Sequence, residues 1–346
     1  MCLSLFVQDI GIDLGTANTL IYTKAKGIVL NEPSVIAVDE STKKILAVGK
    51  AAKSMIGRAP EHIRVVRPLQ DGVISDFMMT QAMLKEFLRK VLPERGIFTR
   101  ARIVVGVPSG VTGVEKRAVE EVVRQMGAKE VYILDEPMAA AIGVGIPVDA
   151  PNGHMIADIG GGTSDIAIIA LGGIVNSVSL RVASDEMDEA IIAYMRKNYN
   201  LYIGEKTAED LKIKIGCIYP DADRADTRMI MEAKGRDVIT GLPKSVSISS
   251  MDMIKALEET ITIIVEGIKN TLENAPPELA ADIVANGIVL TGGGALIKGL
   301  DKLIEQQTGI NVTVADNALE AVAEGTGKSL RKIQNIKRYT TRDKRF

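Results

Sequence analysis

Met155-Ile-Ala-Asp-Ile-Gly-Gly-Gly-Thr-Ser-Asp-Ile-Ala-Ile-Ile169 decides how the rest of the chain is read. Apolar residues flank Asp158, the glycines Gly160, Gly161 and Gly162, and the hydroxyls of Thr163 and Ser164. That order suits a strand, a tight turn and a second strand, because glycine permits the turn and lets backbone N–H groups approach an anion closely. Asp158 stands at the mouth of the turn. A carboxylate cannot bind phosphate oxygens directly, so facing a triphosphate it would hold the waters of a bridging Mg²⁺ ion. Taken alone, the stretch reads equally well as an ordinary glycine-rich hairpin.

The N-terminus repeats the device. Ile10-Gly-Ile-Asp-Leu-Gly-Thr-Ala-Asn-Thr-Leu-Ile-Tyr22 runs through an apolar strand, Asp13, a turn with Gly15 and Thr16, and a second apolar strand. The two aspartates stand 145 residues apart. Two half-size domains, each lending one phosphate hairpin to a shared cleft, explain that separation. A third run, Val289-Leu-Thr-Gly-Gly-Gly-Ala-Leu-Ile297, follows a strand-like stretch and is read as opening a helix. Its Gly292, Gly293, Gly294 and Ala295 would bring backbone close to the remaining groups of a nucleotide.

Composition narrows the class. A chain of 346 residues holds two domains of common size, and 46% hydrophobic with 25% charged residues excludes global disorder. A net charge of −2 gives no reason to expect nucleic acid as a partner. Cys2 and Cys217 cannot build a disulfide framework, which points to a reducing, cytoplasmic home. His62 and His154 lie far apart, leaving little material for a histidine-based metal site. No signal peptide and no run of about 18 apolar residues is read, so any membrane contact would be peripheral.

Short strands alternate with helices, which argues for an α/β fold. Strands are expected at 27–38, 45–49, 103–108 and 131–134. Helices are expected at 78–92, 109–126, 138–143 (capped by Asp135), 185–199, 206–216, 250–272 with Ser250 as N-cap, 296–307, and from about 318. The small residues Ala139, Ala140, Ala141 and Gly143 would permit close packing at a hinge. Glu209 and Lys212 are three residues apart and face the same way on a helix.

The three glycine segments, in this order, resemble the superfold shared by actin, heat-shock chaperone ATPases and sugar kinases. Within it, Asp13–Tyr22, Leu30-Asn-Glu-Pro-Ser-Val35, Glu136-Pro-Met-Ala-Ala-Ala-Ile-Gly143, Asp188-Glu-Ala-Ile191 and Pro276-Pro-Glu-Leu-Ala280 resemble the bacterial actins of the MreB family over residues 8–330. The resemblance implies an actin-like, duplicated ribonuclease H-like ATPase fold: two domains, each split into a large and a small subdomain around a nucleotide cleft. By this division, 1–30, 72–144 and about 316–332 form subdomain IA and 31–71 form IB. Residues 145–182 and 250–315 form IIA, 183–249 form IIB, and 333–346 are a basic tail.

The resemblance also implies roles. ATP or ADP with Mg²⁺ would occupy the cleft, Asp13 and Asp158 holding the metal's water shell. Gly15, Thr16, Ala17 and Asn18 would meet the phosphates from one side, and Gly160, Gly161, Gly162 and Thr163 from the other. Glu136 and Thr163 would orient the attacking water, Glu209 would take the ribose hydroxyls, and Lys212 the adenosine end. Arg181-Val-Ala-Ser-Asp185 departs from the family's Arg-x-Gly-Gly-Asp, which puts the hydrolysis rate and nucleotide preference in question. Partners would be further copies of the chain in a filament, anionic membrane lipid, and membrane-bound shape or cell-wall proteins.

Two segments suit the inner face of a membrane. Ile97 and Phe98 sit in a polar turn near Arg95, Arg100 and Arg102, a pattern for dipping into an anionic headgroup layer. From Lys328 to Phe346, eight basic residues, among them Lys337, Arg338, Arg342, Lys344 and Arg345, face a single acid, Asp343. The leading reading is a filament-forming, membrane-associated cytoskeletal ATPase that contributes to cell shape. Its rivals are a non-hydrolysing scaffold, a small-molecule kinase, which would need an acceptor pocket, and a chaperone, which would need a substrate domain after the ATPase.

Overall fold

The computed structural model describes residues 9–91, 101–219 and 229–330. The first half begins with β1 (Asp9–Leu14), β2 (Asn18–Thr23) and β3 (Gly27–Pro33), followed by β4 (Ile36–Asp39), β5 (Ile45–Val48), α1 (Lys50–Lys53) and β6 (Ile63–Val66). The short β7 (Leu69–Gln70) and β8 (Val73–Ile74), then α2 (Phe77–Val91), β9 (Arg102–Val107), α3 (Gly113–Gln125), β10 (Glu130–Asp135) and α4 (Glu136–Gly143) complete it. The second half runs β11 (His154–Ile159), β12 (Ser164–Ala170), β13 (Gly173–Leu180), α5 (Ser184–Tyr199), β14 (Leu201–Tyr202) and α6 (Glu205–Ile215). It continues with β15 (Ile230–Asp237), β16 (Pro243–Ser249), α7 (Ser250–Glu273), α8 (Pro277–Asn286), β17 (Ile288–Thr291), α9 (Leu300–Thr308), β18 (Val312–Val314) and α10 (Ala321–Ser329).

The two large sheets share one topology. Their orders are β10-β9-β1-β2-β3 and β13-β12-β11-β17-β18. In each, the first three strands form an antiparallel meander, and the fourth and fifth add in parallel beside the first. A glycine hairpin therefore joins the first two strands of both sheets. Two three-stranded sheets, β5-β4-β6 and β14-β15-β16, lie within residues 31–71 and 183–249 respectively.

Each sheet is covered on both faces, so its central strands are almost uninterrupted apolar runs rather than alternating ones. All seven residues of β12 are buried. Ile166 and Ile168 point to a core with Leu257, Ile261, Ile264 and Ile268 of α7, while Ala167 and Ile169 point to a core between the sheets. That central core holds Met138, Ala139, Ala140 and Ala141 of α4 and Ala321 and Val322 of α10 beside residues of both sheets, Val104 and Ile156 among them. Gly325 lies against α4 so closely that an added Cβ would sit 1.7 Å from the Ala139 carbonyl oxygen. The small residues read from sequence thus let two helices cross at contact distance between the halves.

Several boundaries differ from expectation for local reasons. The strand expected at 27–38 is broken after Pro33, which lacks an N–H for the ladder. The helix expected from 109 begins at Gly113, because Thr112 caps it reciprocally with Glu115. Ser249, not Ser250, is the N-cap of α7 and forms a capping box with Asp252; the Ser250 hydroxyl instead bonds the Met229 backbone. Asp135 is the N-cap residue of α4, but its side chain makes no capping hydrogen bond and instead accepts from Lys116 Nζ at 2.7 Å. The third glycine run opens a single 3₁₀ turn, Gly294–Leu296, and the α-helix starts only at Leu300.

Candidate functional site

Both hairpin turns are held from behind. In the first, Ser34 donates from Oγ to the Gly15 carbonyl (2.6 Å) and from its N–H to the Ala17 carbonyl (2.9 Å). The Gly72 N–H donates to Thr16 Oγ1 at 3.0 Å. In the second, the N–H groups of Ser184 and Asp185 donate to the carbonyls of Gly160 (3.3 Å) and Gly161 (2.8 Å), fastening the start of α5 to the turn. With those carbonyls engaged, the turns can offer an anion N–H groups rather than lone pairs. The hairpins also touch across the halves: a Cβ at Gly161 would lie 2.7 Å from that of Ala17, so only glycine fits.

Between them is a cleft of about 360 Å³. Asp13, Gly15, Thr16, Ala17, Asn18, Glu136, Asp158, Gly160, Gly161, Gly162, Thr163, Glu209, Lys212, Gly292, Gly293 and Gly294 all line it. Ala295 does not. It is 1% exposed and packs into the second half's core, because the 3₁₀ turn rotates it away from the opening. Leu296, Leu319 and Ile213 present exposed apolar surface to the cleft beside the third glycine run, a lining suited to a planar base.

The floor is acidic. Asp158 is 5% exposed and its Oδ1 accepts from Thr291 Oγ1 at 2.7 Å. Burial pushes its carboxyl up to about 7, against the lowering by that hydrogen bond. Asp13 is pushed up to about 8, first by desolvation and then by the charge of Asp158. Glu136, 7% exposed, is raised well above the usual carboxylate range by burial and then by Asp165, Asp13, Asp158 and Asp135. Behind them, Asp165 Oδ1 accepts from both the N–H (2.7 Å) and hydroxyl (2.8 Å) of Ser109, which ties β12 to the loop after β9.

Two facing carboxylates in need of positive charge are hard oxygen donors of the kind Mg²⁺ takes. Among the described residues no group of three or more side chains could cage a metal. Mg²⁺ is commonly held through waters by one or two carboxylates together with phosphates, and Asp13 and Asp158 fit that manner of binding.

Glu209 and Lys212 face the cleft but do not pair with each other. Glu209 Oε1 meets Lys53 Nζ at 2.7 Å. The Lys212 ammonium is engaged by the Ser184 carbonyl (2.6 Å), the Ser184 hydroxyl (2.7 Å) and Asp188 Oδ2 (2.9 Å). Asp188 is pushed up to about 6 by burial, with Lys212 pulling the other way. The sequence places the Ala183-Ser184 loop near the terminal phosphate but singles out neither Asp185 nor Asp188 as lining, and Ser184, Asp185 and Asp188 all line the cleft. The signal was the helical spacing from Ser184 to Asp188 on α5, one turn that presents both to α6. Neither Ala183 nor Ser184 has a positive φ, so the backbone at these positions does not require glycine.

Ile97, Phe98 and the basic residues Lys337, Arg338, Arg342, Lys344 and Arg345 lie outside the described residues. Arg102 is described, and it pairs with Asp9 at 2.6 Å.

The family model for MreB/Mbl protein matches residues 7–338. The chain is 47% identical to the cell shape-determining protein Mbl of Bacillus subtilis, covering 96% of this chain and 98% of that one. It is 48% identical to the cell shape-determining protein MreB of Escherichia coli, covering 95% of each. Among solved structures, MreB5 of Spiroplasma citri bound to AMPPNP matches with a TM-score of 0.90 at 41% identity, over 96% of this chain and 98% of that one. The MamK double helical filament subunit matches with a TM-score of 0.80 at 21% identity, covering 94% and 99%, a likeness of fold. Duplicated sheets around one acidic cleft and a match along nearly the whole length lead to the same place: the chain has the actin-like fold and belongs to the MreB/Mbl family.

Proposed function

We propose that the protein binds ATP with Mg²⁺ in this cleft, hydrolyses it slowly, and assembles into filaments on the inner face of the cell membrane, where it contributes to cell shape. The observation that carries the reading is the meeting of the hairpins of Asp13 and Asp158 in one cavity with Glu136 on its floor. The S. citri relatives bound to AMPPNP and ADP support the nucleotide, and the names of the curated relatives support the role in shape.

The two turns grip the phosphates and Glu136, with Thr163, orients a water toward the terminal phosphoryl group. Mg²⁺ supplies the counter-charge that this acidic floor lacks. Closure of the halves over nucleotide favours head-to-tail contacts that do not close into a ring. Light scattering with ATP, run beside phosphate release, is the test. Filaments with release support the ATPase; filaments without release support a nucleotide-dependent scaffold, the reading favoured by Ser184 Oγ in place of a glycine at the cleft. No scattering under any condition rejects both.

Ser184→Gly removes one of three acceptors from Lys212. Lys212 is then held less firmly at the cleft, so the variant is expected to change affinity for a fluorescent ATP analogue by up to about fivefold, the scale of one hydrogen bond. Unchanged affinity would put this loop out of the nucleotide's reach.

Membrane association rests on the basic tail and the Ile97-Phe98 turn, since no helix among the described residues is long and apolar enough to cross a bilayer. Each base near an anionic surface contributes about 1 kcal/mol. Deleting residues 333–346 is therefore expected to cut co-sedimentation with anionic liposomes by at least tenfold, and undiminished binding would reject the tail as an anchor.

A further inference from the structure

Three ion pairs join the halves at the solvent edge of the cleft. Lys53, at the end of α1, meets Glu209 of α6 at 2.7 Å. Arg67, just after β6, meets Glu205 of α6 at 2.9 Å and Asp185 of α5 at 3.6 Å. Both cations come from the part of the first half that carries the small β5-β4-β6 sheet, Lys53 from α1 and Arg67 from just after β6, and all three acids come from the second half. Glu209 and Asp185 also line the cleft.

Both sides of this contact are braced. Behind Lys53, the start of α1 is fixed by Glu32, which accepts from the Lys50 N–H at 2.7 Å and from Lys90 Nζ at 3.3 Å. Behind Glu209, α6 is fixed to α5 by Lys212 on Ser184 and Asp188. Opening the cleft therefore separates two stiff arms and breaks the ion pairs together. Lys53 engages only Oε1 of Glu209, leaving Oε2 free to accept from a sugar hydroxyl.

We propose that Lys53 and Arg67 form a latch over bound nucleotide, Lys53 being a positioning residue that aims the Glu209 carboxylate at the ribose, so that nucleotide release requires these pairs to break. The inference rests on the nucleotide reading above. It makes release sensitive to salt, because the paired side chains are about a third exposed, 32–34% for Lys53, Glu209 and Arg67, and such pairs are screened.

The test is stopped-flow displacement of a fluorescent ATP analogue with Mg²⁺ from the full chain. Lys53→Ala and Arg67→Ala are each expected to release it about threefold faster, the scale of one partly exposed ion pair. The double variant should release it about tenfold faster and lose the acceleration that wild type shows as salt rises to about 0.5 M. Lys53→Arg should keep slow release. Glu205→Gln, an exposed change outside the cleft lining, should speed release about twofold without touching the nucleotide. If wild type binds and the alanine variants release at its rate with its salt response, the latch is wrong and the nucleotide site stands. If wild type binds no analogue, both fall.

Discussion

Glu136→Ala is expected to slow phosphate release by about 10²-fold while ATP affinity stays the same or tightens. The rate falls because a misplaced nucleophile costs about that much even when every other contact is kept. Glu136 begins α4, and that start is fixed: Asp135 is tied to Lys116 and Pro137 holds the first turn. Affinity does not fall with it, since Glu136 adds a like charge to a floor that already has Asp13 and Asp158. Removing a buried acid whose proton affinity is raised also spares the fold, so the variant should melt no lower than wild type. Glu136→Gln separates two ways of acting. A glutamine that keeps most of the rate assigns orientation by hydrogen bond, whereas a glutamine as slow as alanine requires the carboxylate to accept a proton. An alanine variant releasing phosphate at the wild-type rate would remove Glu136 from the reaction.

The hairpins were legible because their signals are local. Glycine, aspartate and hydroxyls between apolar runs punctuate the chain in the same way twice, and the sheets repeat that punctuation as a shared topology. What sequence did not disclose depends on partners distant in the chain. The spacing of Glu209 and Lys212 put them on one helical face, but the partner of Glu209 is Lys53, 156 residues away, and Lys212 is claimed by α5. Cap positions shifted by one residue at Ser249 and Ser250 because two adjacent serines offer the same oxygen, and only the Met229 backbone decides which is free to cap. Ala295 continued a glycine run on paper, yet the 3₁₀ turn sends it into the core.

Asp158→Asn is expected to stabilise the metal-free protein and, at the same time, abolish the stabilisation that Mg²⁺ and ATP give wild type. In the folded, metal-free chain the carboxyls of Asp158 and Asp13 are pushed up to about 7 and about 8, chiefly by burial. Unfolding returns them to the ordinary value of 3.8, so the unfolded chain sheds protons that the folded one keeps. Their contribution to stability is therefore fully present below pH about 4 and is lost as pH rises through about 7 to 8. For Asp158 the shift of roughly three units corresponds to at most about 4 kcal/mol. Asparagine carries no charge at any of these values, and its Oδ1 can still accept from Thr291, whose bond to Asp158 Oδ1 is 2.7 Å. The variant should consequently melt a few degrees higher than wild type at pH 8 in a chelator and about equally at pH 4. Saturating ligand that binds only the folded state adds about 3 to 4 kcal/mol to wild type, and that gain should vanish when half of the metal's acidic pair is gone. A folding defect cannot imitate this result, since it would lower both curves. A variant that melts lower in chelator yet still gains from Mg²⁺ and ATP would mean that Asp158 serves the fold and that the metal is held elsewhere.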